Sequence, residues 1–203
     1  MLSNSLATAI AVAPNTDAWV SGVTNCLYRY DVTGTSTNVG ASFNAYANKI
    51  LFHPNGKVYV FGVFVTPGPR MVFSADYGAT WVAAATTGVN GPIEDAAILS
   101  DGRIVVVGDF TQAGGVPCKN AAIYNPVTNT FQALTTSADG RILTVAIGLD
   151  GKVYMGGEFS ALNGISCARV AMWNGTQVQP MGAGITQISG TAAPAVLTIA
   201  VNP

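Results

Sequence analysis

One phrase is written four times along this chain, and that repetition limits what it can fold into more than anything else in the sequence. The stretch Asp150-Gly151-Lys152-Val153-Tyr154-Met155-Gly156-Gly157-Glu158-Phe159 recurs as Asp101-Gly102-Arg103-Ile104-Val105-Val106-Val107-Gly108-Asp109-Phe110. It recurs again as Asn55-Gly56-Lys57-Val58-Tyr59-Val60-Phe61-Gly62-Val63-Phe64, with a worn copy at Asn15-Thr16-Asp17-Ala18-Trp19-Val20-Ser21-Gly22. In each copy a turn residue (Thr16, Gly56, Gly102, Gly151) stands six positions ahead of a second glycine (Gly22, Gly62, Gly108, Gly157), and successive turns lie 40, 46 and 49 residues apart. A repeat of that period is one supersecondary unit that must stack on its neighbours to bury its apolar faces.

Each unit follows one plan. An apolar run comes first: Ala9-Ile10-Ala11-Val12, Lys49-Ile50-Leu51-Phe52, Ala96-Ala97-Ile98-Leu99 and Leu143-Thr144-Val145-Ala146-Ile147. The last three copies then carry Asn-Gly or Asp-Gly, read here as a two-residue hairpin turn. A Val-, Tyr- and Ile-rich strand follows and closes on the second glycine. A looser connection leads to a third strand ending in Tyr30, Phe73, Tyr124 or Trp173, and short fourth strands are expected at 37–39, 81–83, 130–134 and 177–181. No helical period is sustained, because glycine punctuates every candidate stretch. The prediction is an all-β β-propeller: four four-stranded antiparallel blades at about 5–43, 44–90, 91–139 and 140–186, in a single domain over 1–203. The connections 111–118 and 160–167 fall between second and third strands, on one rim, where recognition surface collects.

The run 195–201 reads as an extra first strand, with Asn202-Pro203 matching the turn at Pro54-Asn55. Three explanations stand: a segment of a longer propeller, which is favoured; two copies closing a ring of about eight blades; or an open ring capped by a partner. An unpaired Val/Ile-rich strand invites pairing, so partners or self-association covering the end blades are expected.

Composition excludes other classes. Charged residues are 9% against 49% hydrophobic, which rules out a self-repelling disordered chain. Nine Lys and Arg against ten Asp and Glu, scattered singly, leave no basic stripe for phosphates, so no nucleic acid partner is expected. No apolar run is long enough for a membrane-spanning helix. Residues 6–13 mimic a signal-peptide core but lack a basic flank and fall where the repeat wants a strand. Cys118 and Cys167 sit at equivalent repeat positions, so Cys26, Cys118 and Cys167 are read as free thiols, mostly buried.

The third and fourth units resemble the delta-60 type of propeller repeat of bacterial surface and phage structural proteins. The residues that carry this are Gly108-Asp109-Phe110-Thr111 with Ala121-Ala122-Ile123-Tyr124-Asn125, Gly157-Glu158-Phe159-Ser160 with 169–175, and the run from Trp173 to Gly184. Unit one departs from the pattern, with Val23-Thr24 where the acid and Phe stand. In the second unit, Ser74-Ala75-Asp76-Tyr77-Gly78-Ala79-Thr80-Trp81 resembles the Asp-box hairpin of sialidases and related propellers. That resemblance implies a structural staple of Ser74, Asp76, Gly78, Thr80 and Trp81, away from any catalytic pocket.

Sialidase-like hydrolysis needs an arginine cluster, a Tyr nucleophile and acids, yet Arg103 repeats as Lys57 and Lys152, as a surface position would. Glu94-Asp95 is the one acidic doublet and lacks the spacing of a calcium loop even with Asp139 added. His53 stands alone, without triad or zinc partners. Asp109 and Glu158 either line a charged ring or, as favoured, pair with Lys119 and Arg169. Trp19, Tyr59 and Tyr154 recur as core packing. The exposed aromatics left for ligand contact are Tyr46, Tyr77 and Trp173. The expectation is a chain with no catalytic, cofactor or metal residues: a non-enzymatic binding or structural module in a phage virion or tail, or on an extracellular bacterial surface. The alternatives are a glycan-binding adhesin and a non-catalytic segment of a larger glycosidase.

Overall fold

Each unit begins with a hairpin whose geometry corrects the sequence expectation. A computed structural model of the chain describes residues 7–22, 26–85, 87–186 and 194–201. In the second unit the Gly56 N–H donates to His53 O (3.0 Å) and the His53 N–H to Lys57 O (2.9 Å). Leu99 with Gly102 and Arg103, Gly148 with Gly151 and Lys152, and Ala13 with Thr16 and Asp17 repeat this pattern. These are three-residue loops, in which a type I turn is followed by one left-handed residue. That residue is Gly56 (φ 81°), Gly102 (φ 83°), Gly151 (φ 74°) or, against the usual preference, Thr16 (φ 73°). The two-residue reading fails because it puts glycine inside the turn, whereas here the Asx side chain ahead of it occupies the turn. The Oδ1 atoms of Asn15, Asn55, Asp101 and Asp150 accept the N–H groups of Asp17, Lys57, Arg103 and Lys152.

Four antiparallel sheets follow, each with its main strands side by side in chain order. The first blade is β1 (Ala7–Val12), β2 (Ala18–Gly22), β3 (Cys26–Tyr30) and β4 (Ser36–Asn38). The second is β5 (Ala47–Phe52), β6 (Val58–Gly62), β7 (Met71–Ser74) and β8 (Val82–Ala83). The third is β9 (Ile93–Ile98), β10 (Ile104–Gly108), β13 (Ala121–Asn125) and β14 (Thr130–Ala133), with the small hairpin β11 (Gln112–Ala113) and β12 (Val116–Pro117) between. The fourth is β15 (Ile142–Ile147), β16 (Val153–Gly157), β19 (Val170–Trp173) and β20 (Val178–Pro180), with β17 (Ala161–Leu162) and β18 (Ile165–Ser166). None of the described residues is helical. The connections expected to be loose in the last two blades are thus paired hairpins.

The second glycine of the repeat has a steric cause. First strands open with a bulge, so Ala47 and then Lys49 face Gly62 and Phe61, while Ile142 and Thr144 face Gly157 and Gly156. A Cβ on Gly62 would lie 2.5 Å from Tyr46 O, and one on Gly157 2.2 Å from Arg141 O.

The chain divides into two compact units, Met1–Ile93 and Glu94–Pro203. In unit 1 the second blade turns the rows Ile50–Val60–Val72 and Phe52–Val58 toward Trp19, Leu27 and Val39 of the first. Trp19 is fully buried, edge-on to Phe52 (centroids 5.7 Å apart), and its Nε1 is buried with no hydrogen-bond partner. In unit 2 the fourth blade turns Val145–Met155–Ala171 and Val153 toward Val105, Val107, Ala121 and Ile123 of the third. Cys118 and Cys167 are free and buried, and burial raises both thiols. The side chain of Cys26, Val23-Thr24, residues 187–193 and Asn202-Pro203 lie outside the described residues.

The run 195–201 is not a strand. A strand needs a ladder of paired backbone groups. This run is instead docked on the fourth blade, with the Val196 N–H donating to Gly157 O (3.1 Å) and the Ile199 N–H to Thr144 Oγ1 (3.3 Å).

Candidate interaction rim and exposed blade face

The outer turn between third and fourth strands is stapled in every blade by an Asx residue. In the second blade, Asp76 Oδ1 accepts the Thr80 N–H (2.8 Å) and the Ser74 hydroxyl (2.7 Å), and Oδ2 accepts the Thr80 hydroxyl (2.5 Å). Ser74 Oγ in turn accepts the Gly78 N–H (2.7 Å). The Thr80 hydroxyl above all, then Ser74 and the Thr80 amide, holds the Asp76 carboxyl down to about 2. Gly78 (φ 88°) and Tyr77 (φ 57°) carry the left-handed turn. Trp81 leaves that turn to donate Nε1–H to Val39 O of the first blade (2.7 Å), its ring edge-on to Phe43 and Trp19.

The other blades use one acceptor at the same corner. Asp31 Oδ1 takes the N–H groups of Thr33 and Thr35 (both 2.9 Å). Asn125 Oδ1 takes that of Val127 (2.9 Å), and Asn174 Oδ1 takes those of Thr176 and Gln177 (both 3.0 Å).

The opposite loops, between second and third strands, are held in the second and fourth blades by an Asx residue whose loop-holding role the sequence reading did not find. Asn44 Oδ1 accepts the N–H groups of Val65 (2.9 Å) and Thr66 (3.1 Å). Asp139 Oδ1 accepts those of Ser160 (2.7 Å) and Ala161 (3.0 Å), while Oδ2 takes the Ser160 hydroxyl. Burial pushes Asp139 up, but the Ser160 hydroxyl and the two amides outweigh it and leave it lowered. The missed signal was periodic: Asn44, Asn90 and Asp139 each stand three residues before a first strand.

Several side chains sit differently from expectation. Glu158 pairs with Arg141, not Arg169: Arg141 Nε and Nη2 reach its two oxygens at 2.9 and 2.7 Å. Arg169 (φ 74°) turns back to donate to the Glu158 backbone carbonyl, as Arg70 (φ 67°) does to Val63 O, so its guanidinium closes a loop. Asp109 is exposed, and with Glu158 and Arg141 it bears on Glu94, whose carboxyl is raised first by burial. Asp95 and Asp139 serve different loops, since Asp95 Oδ2 accepts the Val145 N–H (3.0 Å) and the Thr144 hydroxyl (3.2 Å). Among the described residues no three His, Cys, Asp or Glu gather to hold a metal. His53 Nδ1 accepts the Asn55 N–H (3.0 Å) and its ring lies edge-on to Tyr59. Arg103 and Lys152 pair with Asp101 and Asp150 (2.7 and 2.9 Å), and Lys57 lies over the Phe73 ring.

Trp19 and Tyr59 are fully buried, but Tyr154 is half-buried, its hydroxyl donating to Asp150 (3.1 Å). Tyr46, Tyr77 and Trp173 are each half-buried. Tyr77 is edge-on to Trp19 at 6.0 Å, and Trp173 packs on the core of unit 2.

Comparisons with known proteins agree with this architecture. A family model described as "Domain of unknown function (DUF5122) beta-propeller" matches residues 99–126, the stretch from the third blade's first hairpin to the end of β13. No curated protein matches the chain. Among solved structures, the chain is similar to YCF48 bound to D1 peptide, at TM-score 0.56 and 12% identity over 88% of this chain and 55% of that one. It is also similar to the extracellular domain of BT4673, of the hybrid two component system class, from B. thetaiotaomicron (TM-score 0.62, 12% identity, 95% of this chain and 24% of that one). A third likeness is to a chain of the Mitotic Checkpoint Complex (TM-score 0.59, 12% identity, 86% and 49%). At such identities the likeness concerns fold alone: this is an all-β chain of propeller blades. It spans about half of the first of these structures and about a quarter of the second. Among the described residues no helix is long and apolar enough to cross a membrane.

Proposed function

We propose that this chain is a non-enzymatic propeller module that binds protein partners through its rim loops and an exposed end-blade face, in a phage virion or tail or on an extracellular bacterial surface. One observation carries the reading. The Asx side chains at the rims hold the backbone of their own loops, so those loops are presented in fixed conformations, and a surface ordered before binding loses less entropy on binding. Asp31, Asp76, Asp101 and Asp150, each held low chiefly by a side-chain donor in its own turn, are ionised staples rather than groups poised for proton transfer near neutrality. The Asp-box resemblance of Ser74, Asp76, Gly78, Thr80 and Trp81 supports the same structural role. The peptide in the YCF48 structure and the assembly in the checkpoint structure support protein partners, and the extracellular domain of BT4673 supports a surface location.

The test is cross-linking of the intact chain to virion or cell-surface proteins, with mass-spectrometric mapping, run beside a glycan array. Cross-links concentrated in 111–118 and 160–167, lost in Ile165→Asp, support the proposal. Binding to a defined sugar that Tyr77→Ala abolishes replaces it with the adhesin reading. A melting control accompanies that variant, because Tyr77 also packs on Trp19. Turnover of a glycoside by the chain would overturn the non-enzymatic reading.

A further inference from the structure

We propose that the outer face of the first blade docks head-to-tail on the fourth blade of a second copy of this chain, taking the seat that residues 194–201 hold there. Directly opposed residues of an antiparallel sheet share a face. One face of the first blade therefore carries the rows Ile10–Val20–Tyr28 and Val12–Ala18–Tyr30, ending on Asn38 and Ser36. Ile10 is 71% and Val12 66% exposed, Tyr30 is exposed, and no charged residue lies in either row. It is an apolar patch with a polar edge, of the kind that marks an interaction site.

The repeat itself names what fits this face. In the second blade the same positions, Ile50–Val60–Val72 and Phe52–Val58, are packed against the opposite face of the first. In the fourth blade, Val145–Met155–Ala171 and Val153 are packed against the third. Twice in this chain the complement of such a face is the opposite face of another blade. The fourth blade offers that opposite face, with the rows Ala146–Tyr154–Met172 and Thr144–Gly156–Val170.

The residues now on it mark the seat. A Cβ built on Gly156 would meet Val196 Cγ1 at 2.4 Å and Ile199 Cδ1 at 3.0 Å. In unit 1, Ser21, one residue before the second glycine as Gly156 is, accepts the N–H of Ala47 at the head of β5 (3.0 Å). Val196 thus stands on the fourth blade where a neighbouring first strand begins. The run 194–201 and an incoming β1 therefore compete for one place, and the contact they contest is heterologous, between different surfaces of the two copies.

This proposal rests on the reading of the end blade as a contact surface. It is tested by sedimentation analysis of the full chain over rising concentration, with circular dichroism as a folding control. The wild-type mass is expected to rise with concentration, and Ile10→Asp, with the milder Ile10→Ser beside it, to remain monomeric. Val196→Asp, which loosens the run from its seat, is expected to associate more tightly, by about tenfold for a run held by about 1.4 kcal/mol. Association of Val196→Asp alone, with the wild type monomeric, supports the proposal equally, because the run then holds the seat. Association indifferent to Ile10→Asp, association lost in Val196→Asp, or a monomeric state for both wild type and Val196→Asp overturns it. Rim-loop binding is read separately by partner cross-linking to Ile10→Asp, so failure of this contact does not count against the rim reading.

Discussion

At the scale of single residues, this chain fixes its loops with short side chains that accept from their own backbone. Asp76 is the fullest case, with donors from Thr80 and Ser74 holding its carboxyl at about 2 against an ordinary 3.8. A carboxyl lowered on folding adds stability that is fully present above its unfolded value and is lost as pH falls through its folded value. The melting temperature should therefore decline as pH drops from about 4 toward about 2, and Asp76→Asn should flatten that decline. A thermal-melt series across the window reads both slopes, and equal slopes would remove Asp76 from the account. Glycine at position 157 is a second residue-scale constraint. Its missing Cβ would lie 2.2 Å from Arg141 O and 2.9 Å from Ile142 Cα, both backbone. Gly157→Ala should cost about 1–3 kcal/mol, as overpacking does, read as a lower urea midpoint.

At the scale of elements, the strands are alike and the links between them differ. The short hairpin of the fourth blade, β17 with β18, is pinned from the segment that precedes its blade, through Asp139 to Ser160 and Ala161. Asp139→Ala should speed amide exchange at Ser160 and Ala161 while leaving β16 protected, and uniform protection in the variant would show the pin to be idle. The outer hairpin of the second blade is tied to the first by one indole. Trp81→Phe keeps the ring contacts but leaves Val39 O without its donor, for a loss of about 1 kcal/mol in equilibrium unfolding. These ties are local in space and distant in sequence, which is why motif reading missed Asn44, Asp139 and the Arg141–Glu158 pair.

For the molecule as a whole, the governing fact is that each compact unit carries a cluster of buried apolar residues of its own. One gathers Trp19, Leu27, Ile50 and Val60, and the other Val107, Ile123, Met155 and Ala171. Val60→Ala should therefore quicken native-state exchange in unit 1 with unit 2 little changed, and Met155→Ala the reverse. Equal effects in both units would show a single cooperative core. The bare face of the first blade belongs to this scale too, since only the comparison of whole blades identifies Ile10 as a position buried, and Val12 as one half-buried, in the other blades.

What the sequence determined by itself was the repeat and hence the blades: period-2 apolar strands, glycines six residues past each turn, and an aromatic–Asx step before three of the four outer corners. Those signals are local, set by side-chain alternation and backbone sterics, so the strands and their order could be read before any coordinates. The tertiary structure alone decided the loop class of the inner hairpins, the partner of Glu158, the half-burial of Tyr46, Tyr77 and Trp173, and the docking of 194–201 without a ladder. Each depends on which groups arrive together from separate blades. An unpaired strand sequence stays extended or becomes a strand according to the neighbour that meets its backbone, and that neighbour lies far away along the chain.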